Sequence, residues 1–240
     1  MAVKRSRSAT RMLSVFEAIA AAQPIGVSAL ARDLDADKSA VQRDLMTLAD
    51  AGWIRPAPGL AGQWELSPRI LTLARVPHSN ESLRQRAGPH LDALRSATGE
   101  TAYLAVENGD HFIVMSAAES QHPLRMVPAI GLVIPMQGSA TAKAMLPYLS
   151  EQEQALRLGA KPSDEQADEF VRTRERGYAL NDEEVVSGAV AMASAIVTDT
   201  GRPVGTLVLT GPAERMTPGR REAMGAMLAE AANRLTCELN

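Results

Sequence analysis

The stretch VSALARDLDADKSAVQRDLMTLADAGWIRPAPGLAGQW, Val27–Trp64, decides the reading of the N-terminal part of the chain. A second helix of the chain is expected over about Ser28 to Leu34, burying Leu30 and Leu34. The segment LDADKS is too polar and too short for anything but a turn. Asp37 is a good N-cap for a third helix, roughly Lys38 to Ala51, because its carboxylate can accept from the orphan N–H groups of the first turn. Val41, Leu45 and Leu48 fall on one face of that helix at helical spacing. Gly52 supplies the left-handed residue that commonly ends a helix. Trp53 and Ile54 then read as a strand, RPAPGLAGQ as a loop and WEL as the returning strand, which together form a small wing.

With the apolar stripe turned inward, Lys38, Ser39, Gln42, Arg43 and Met46 lie toward the other side. The first four cluster where a recognition helix meets base edges. Gln and Arg can make bidentate contacts to adenine and guanine, and Lys and Ser reach phosphates. Ser28 and Arg55 are placed to touch flanking phosphates. Asp44 and Asp50 would repel phosphates, so they are expected to point away from the nucleic-acid backbone. Polar-surfaced three-helix units also occur in protein–protein modules. The order of turn, cap, glycine stop and wing favours DNA.

Upstream, a first helix is expected after Ser8 or Thr10, with Leu13, Phe16, Ile19 and Ala20 on one face, ended by Pro24 and Gly26. The chain of 240 residues has a net charge of −3, which alone would argue against nucleic acid. The charge is unevenly spread, +3 over residues 1–75 and −6 over the rest. The basic excess is sharpest at Lys4, Arg5, Arg7 and Arg11, as in an anion-binding module joined to an acidic one. No run approaches the ~18–20 apolar residues of a membrane span. The basic N-terminus lacks an apolar stretch behind it, so it is not read as a secretory signal. The lone Cys237 excludes a disulfide framework and a cysteine-based metal cluster. A cytoplasmic location follows as the default, with no cofactor.

Pro68 can start a short helix, RILTLARV, interrupted by Pro77 and the polar HSNES. The expected division is a winged helix-turn-helix domain over 1–67, a helical linker over 68–81 and a second domain over 82–240. In the second domain a helix from about Ser82 to Ala97 carries Leu83, Ala87, Leu91 and Leu94 on one face. From Thr101 the period changes to that of strands. Asn108-Gly109-Asp110 between two such runs is the strongest hairpin signal in the chain. PMQGSATAKAMLPYL reads as a strand end leading into a helix, 151–176 as polar helix, and AVAMASAIVTDTGRPVGTLVLT as two more strands. A last helix from about Arg220 carries Met224, Met227, Leu228, Ala231 and Leu235. An α+β domain follows, an antiparallel sheet covered by helices.

The chain resembles the IclR family of bacterial transcription regulators. Its winged helix resembles theirs through LSVFEAI, LARDL, KSAVQRDLMTL and AGWI. Its second domain resembles their effector-binding domain through TGETAYLAV, PMQGSATAKAML, RERGYALNDEE and the run from Gly188 through VLTGPAERMT. The resemblance implies a GAF-like effector domain and assembly as dimers or tetramers. Helix one and the 68–76 segment would then hold the N-terminal domains together. Four positions depart from the family pattern: Gln137 stands where a His is frequent, Ala142 for a Gly, Ala191 for a Cys and Ala195 for a Pro. The expected pocket is accordingly less polar and less reactive.

The helix start after Gly138 offers backbone N–H groups and the hydroxyls of Ser139 and Thr141. A helix N-terminus favours a carboxylate. An acid-bearing or otherwise polar-headed small molecule is therefore expected there. The expected site comprises Gly138, Ser139, Ala140 and Thr141, with Met115, Met126, Ile130, Met136, Ala191, Ala193, Ser194 and Met192 or its neighbours around the apolar part. Enzyme readings fare badly. ATAK lacks the Ser of an S-x-x-K nucleophile and GSATAK lacks P-loop spacing. His78, His90, His111 and His122 fit no metal-ligand pair. Asp182, Glu183 and Glu184 read as a solvated turn or helix cap. The expectation is a one-component, effector-modulated DNA-binding regulator, a repressor, bound to a duplex operator. A small-molecule-sensing or interaction module without sequence-specific DNA binding is the alternative.

Overall fold

The computed structural model describes residues 6–74 and 81–239. The chain divides between residues 78 and 79 into two compact units.

The N-terminal unit is built from α1 (Arg7–Ala22), β1 (Ile25–Gly26), α2 (Val27–Asp33), α3 (Lys38–Asp50), β2 (Ile54–Pro56), β3 (Gln63–Leu66) and α4 (Ile70–Ala74). α1 starts earlier than its sequence suggests, because Ser6 caps it, accepting from the Ala9 N–H. Its buried face also differs from the expected one. Val15 and Ile19 are fully buried, with Met12, Phe16 and Ala18 packed beside them, whereas Leu13 is 60% exposed and Ala20 lies outside. The stripe facing α3 runs through Met12, Val15 and Ile19, and the seven-residue pair Leu13/Ala20 sits on a different face. α3 matches its pattern: Asp37 caps it by accepting from Ala40 N–H at 3.0 Å, and Val41, Leu45 and Leu48 are buried against Leu30 and Ile54. Gly52 follows with φ +77°, a left-handed conformation that a side chain would strain.

The wing is a three-stranded sheet, order β1-β3-β2, all antiparallel. β1 has only two residues, Ile25 and Gly26, too few for any alternating pattern to show in sequence. Trp53 is held between the edge of Phe16, with ring centroids 6.3 Å apart, and the guanidinium of Arg69, 4.4 Å from its centroid.

The C-terminal unit opens with α5 (Glu81–Thr98) and continues through β4 (Thr101–Asn108), β5 (His111–Ala118), β6 (Val133–Pro135), α6 (Ala140–Met145), a 3₁₀ turn (Leu146–Tyr148), α7 (Glu151–Leu158), α8 (Asp164–Arg176), β7 (Ala179–Asp182), β8 (Ala189–Val197), β9 (Pro203–Pro212) and α9 (Pro218–Leu239). The strands form one antiparallel sheet of order β6-β5-β4-β9-β8-β7. Alternation gives each strand two faces. On one face Leu104, Met192, Ile196, Leu207 and Leu209 pack with Leu91 of α5 and Met224 and Leu228 of α9. On the other, Tyr103, Ala105, Ala193, Ala195 and Val208 meet Ala140, Ala142 and Met145 of α6 and Phe170 of α8.

β7, like β1, is a strand that its own residues do not announce in the sequence. Its short run ends in Asn181 and Asp182, which resemble a turn until β8 pairs with it. The acidic cluster is correspondingly more tied than expected. Asp182 accepts twice from Arg221, at 2.7 and 2.8 Å, and Glu184 accepts from Lys143 Nζ at 2.5 Å. Glu183 takes φ +64°, and its carboxylate accepts the Gly188 N–H at 2.7 Å.

Candidate functional site

Two places bring the expected functional residues together, one in each unit. On α3, Lys38, Ser39, Gln42 and Arg43 are exposed, and Met46 is half-exposed beside them. Among the described residues, Lys38, Gln42 and Arg43 make no side-chain hydrogen bond or ion pair with protein groups, so their donors and acceptors remain open to a ligand. Ser39 is partly committed: its hydroxyl donates to Asp37 Oδ1 at 2.5 Å. That bond and the Ala40 N–H hold the Asp37 carboxyl below the usual carboxylate range.

Asp44 resolves differently from simple avoidance of phosphate. It is buried, and Arg11 of α1 reaches it with Nε at 2.6 Å from Oδ2 and Nη2 at 3.3 Å from Oδ1. The acid on α3 is thereby neutralised from behind and fastens α1 to α3. The same pair removes Arg11 from the basic N-terminal cluster. Arg7 and Ser28 are exposed at the first turns of α1 and α2. Arg5 lies outside the described residues. Arg55 of the wing is half-exposed and pairs with Glu65 across the hairpin at 2.7 Å, so its charge is partly spent within the protein.

In the C-terminal unit a cavity of about 320 Å³ lies between α6, the segment before β6, and the ends of β7 and β8. Of the expected residues, Met126, Ser139, Ala140, Thr141 and Ala191 line it. Six do not. Met115 packs against the opposite face of the sheet, with α5 and α9. Ile130 is 72% exposed. Ala193 follows Ala191 on the same face but is fully covered, one pleat deeper in the core. Ser194 is one residue out of register with that face, and its hydroxyl donates to the Gly177 carbonyl at 2.7 Å. Met192, also considered for the apolar wall, is out of register in the same way and sits fully buried on the α5/α9 face. Met136 and Gly138 line a separate, charged cavity of about 510 Å³ with Lys143 and Glu184.

The sequence reading missed Tyr103, Asn181 and Thr210, all of which line the 320 Å³ cavity. Tyr103 was within reach of strand alternation, since it shares a face with Ala105. Asn181 needed β7, and Thr210 needed the pairing of β9 with β4 and β8. Most of the polar capacity here is already used. Ser139 Oγ accepts from Ala142 N–H at 3.2 Å, Asn181 Nδ2 donates to the Gly138 carbonyl, and Thr210 Oγ1 donates to the Val190 carbonyl at 3.1 Å. Thr141 differs: it is 1% exposed, and among the described residues its hydroxyl makes no hydrogen bond of ordinary geometry, with the Tyr103 phenol beside it. Among the described residues no Lys, Arg, His, Asp or Glu lines this cavity.

A helix-turn-helix head with open donors on its third helix, followed by a separate unit with a largely apolar cavity, defines a DNA-binding regulator with a sensing domain. A family model described as Bacterial transcriptional regulator IclR C-terminal matches residues 78–237. A second, HVO_A0114, matches residues 9–59. The acetate operon repressor of Salmonella typhimurium is 30% identical, covering 96% of this chain and 89% of its own length. The transcriptional repressor IclR of Escherichia coli K12 is 28% identical over the same shares. The IclR transcriptional regulator structure from Alicyclobacillus acidocaldarius superposes with a TM-score of 0.79 at 19% identity, covering 98% of this chain and 99% of that one, and shows a common fold. The chain belongs to the IclR family of bacterial transcriptional regulators. No helix among the described residues is long and apolar enough to cross a membrane.

Proposed function

We propose that the protein is a cytoplasmic repressor rather than an enzyme. In this reading it binds a near-palindromic operator as a dimer or a pair of dimers and is released or tightened by a small molecule in the 320 Å³ cavity. One observation supports this above the rest. The outward edge of α3 presents Lys38, Gln42 and Arg43 with no side-chain hydrogen bond or ion pair among the described residues, while the one buried acid of that helix, Asp44, is neutralised by Arg11. Two such helices in a dimer would enter successive major grooves. Arg7, Ser28 and, in part, Arg55 and Ser39 would contact phosphates. Replacing Arg43 with Ala should weaken operator binding by about 1–3 kcal/mol, read by fluorescence anisotropy at fixed salt. An unchanged affinity would remove Arg43 from the interface.

A self-association surface fits the N-terminal unit. Leu13 of α1 and Leu71 and Leu73 of α4 are more than half exposed, and Leu13 and Leu73 join Phe16 and Trp53 around an apolar groove of about 310 Å³. Exposed apolar surface of this kind is commonly covered by a partner. A second copy is the natural occupant, because two heads must be held at a set spacing to read two half-sites. Leu13→Glu should then lower operator affinity and its cooperativity while leaving the head folded. Retained cooperative binding in a titration would exclude this surface. Effector and operator are coupled by linkage, so DNA must change effector affinity by the same factor that effector changes DNA affinity.

A further inference from the structure

Resting on the reading of the 320 Å³ cavity as the effector site, we infer that its ligand is a largely apolar molecule with one uncharged hydrogen-bonding head, a phenol or alcohol, bound at Thr141. The walls that the sequence left unread are almost wholly apolar, among them Met126, Val127, Ile134, Pro135, Val185 and Val186. The volume suits a single ring with a short substituent. A charged head placed at Thr141, which is 1% exposed, would have to leave water, which is expensive without a cation or several free donors. No cationic side chain lines the cavity among the described residues. The helix start offers little instead: α6 has six residues, and its Ala142 N–H is already bonded to Ser139.

Thr141 supplies the positive half of the argument. A buried hydroxyl without a partner is destabilising, and one that lines a cavity can be satisfied by a ligand. Tyr103 lines the same cavity next to Thr141. Burial pushes its phenol well above the ordinary value, against a smaller opposing influence of the Thr141 hydroxyl, although no hydrogen bond of ordinary geometry joins Thr141 to any group. Tyr103 therefore stays a neutral phenol at every physiological pH. A ligand hydroxyl can both accept from one of these two groups and donate to the other. A carboxylate can only accept, and it arrives with its charge uncompensated.

Thr206 is a control built into the fold. It is fully buried, its hydroxyl also lacks a partner, and it does not line the cavity. The test uses the full chain with ¹³C-labelled Met, Ala and Thr methyls, titrated with 4-propylphenol and with 4-propylbenzoate, which share a frame and differ in the head. The expected result is that 4-propylphenol shifts the Met126, Ala140, Thr141 and Ala191 resonances and binds at least tenfold more tightly than the benzoate. Thr141→Val and Thr206→Val should both raise the unfolding midpoint by several degrees. Thr141→Val alone should weaken the phenol at least tenfold. The head-group inference is overturned if the benzoate moves the same methyls at equal or lower concentration. It is equally overturned if Thr141→Val leaves phenol affinity within twofold; in either case the cavity keeps its role. If neither probe moves those methyls, the reading of this cavity as the effector site falls, and the inference with it.

Discussion

Replacing Leu45 with Ala is expected to melt the N-terminal unit early and abolish operator binding, while the C-terminal unit keeps its own transition. Leu45 is fully buried in a cluster drawn from α1, β1, α2, α3 and β2: Val15, Ile19, Ile25, Leu30, Val41, Leu48 and Ile54. A large-to-small change at such a position costs about 2–5 kcal/mol. For a unit of about 80 residues the whole stability is only about 4–12 kcal/mol. The substitution therefore removes a large fraction of it, and the midpoint should fall by at least about 10 °C. The lost anchor also frees α3 from the wing and from α1, so the reading edge loses its fixed geometry. Calorimetry should show the first of two transitions displaced and the second in place. A single transition displaced as a whole would mean that the two units do not melt as separate bodies.

The second large effect is expected at Glu100. Its side chain is 1% exposed, and Arg215 grips it with Nε at 2.7 Å and Nη2 at 2.8 Å from its two oxygens. The approach is so close that any side chain at Gly211 would collide with the carboxylate, which is why a glycine stands there. Arg215 also donates through Nη1 to the Leu124 carbonyl at 2.9 Å, and Thr101 Oγ1 donates to the Met126 carbonyl at 2.7 Å. Together they moor the segment whose Met126 and Val127 form a wall of the cavity. Glu100→Ala leaves the guanidinium without its carboxylate. Because Arg215 is a quarter exposed, water relieves part of the loss, and the cost lies near the lower end for a broken buried pair, about 3 kcal/mol. That corresponds to roughly 6–12 °C in the midpoint of the C-terminal unit. Ligand binding should weaken along with it, since the wall loses its mooring. Thermal scanning of the variant checks the first part. A midpoint within a degree of wild type would show that the pair contributes nothing net.

Local chemistry made the head legible. Asp37, Gly52 and the Val41/Leu45/Leu48 stripe act within one helix and its ends, and the Asn108–Asp110 turn acts within one hairpin. Features set by distant partners were not visible. Arg11 and Asp44 are 33 residues apart, so the neutralised acid on α3 looked like a liability. β1 and β7 exist because other strands pair with them, and their own residues do not announce it. The cavity shows the same division. Ser139, Ala140 and Thr141 follow from a local strand-to-helix transition. Met115 and Ser194 failed by strand parity, and Tyr103, Asn181 and Thr210 required the sheet order.

The claim that α3 reads base edges through Gln42 and Arg43 is tested most directly by selecting binders from a randomised duplex pool with wild type and Gln42→Ala. The expected result is that the variant loses discrimination at one base pair in each half of a two-fold symmetric site while retaining it elsewhere. Equal weakening for all sequences, with the wild-type preference intact, would contradict it and make Gln42 a contact to the phosphate backbone.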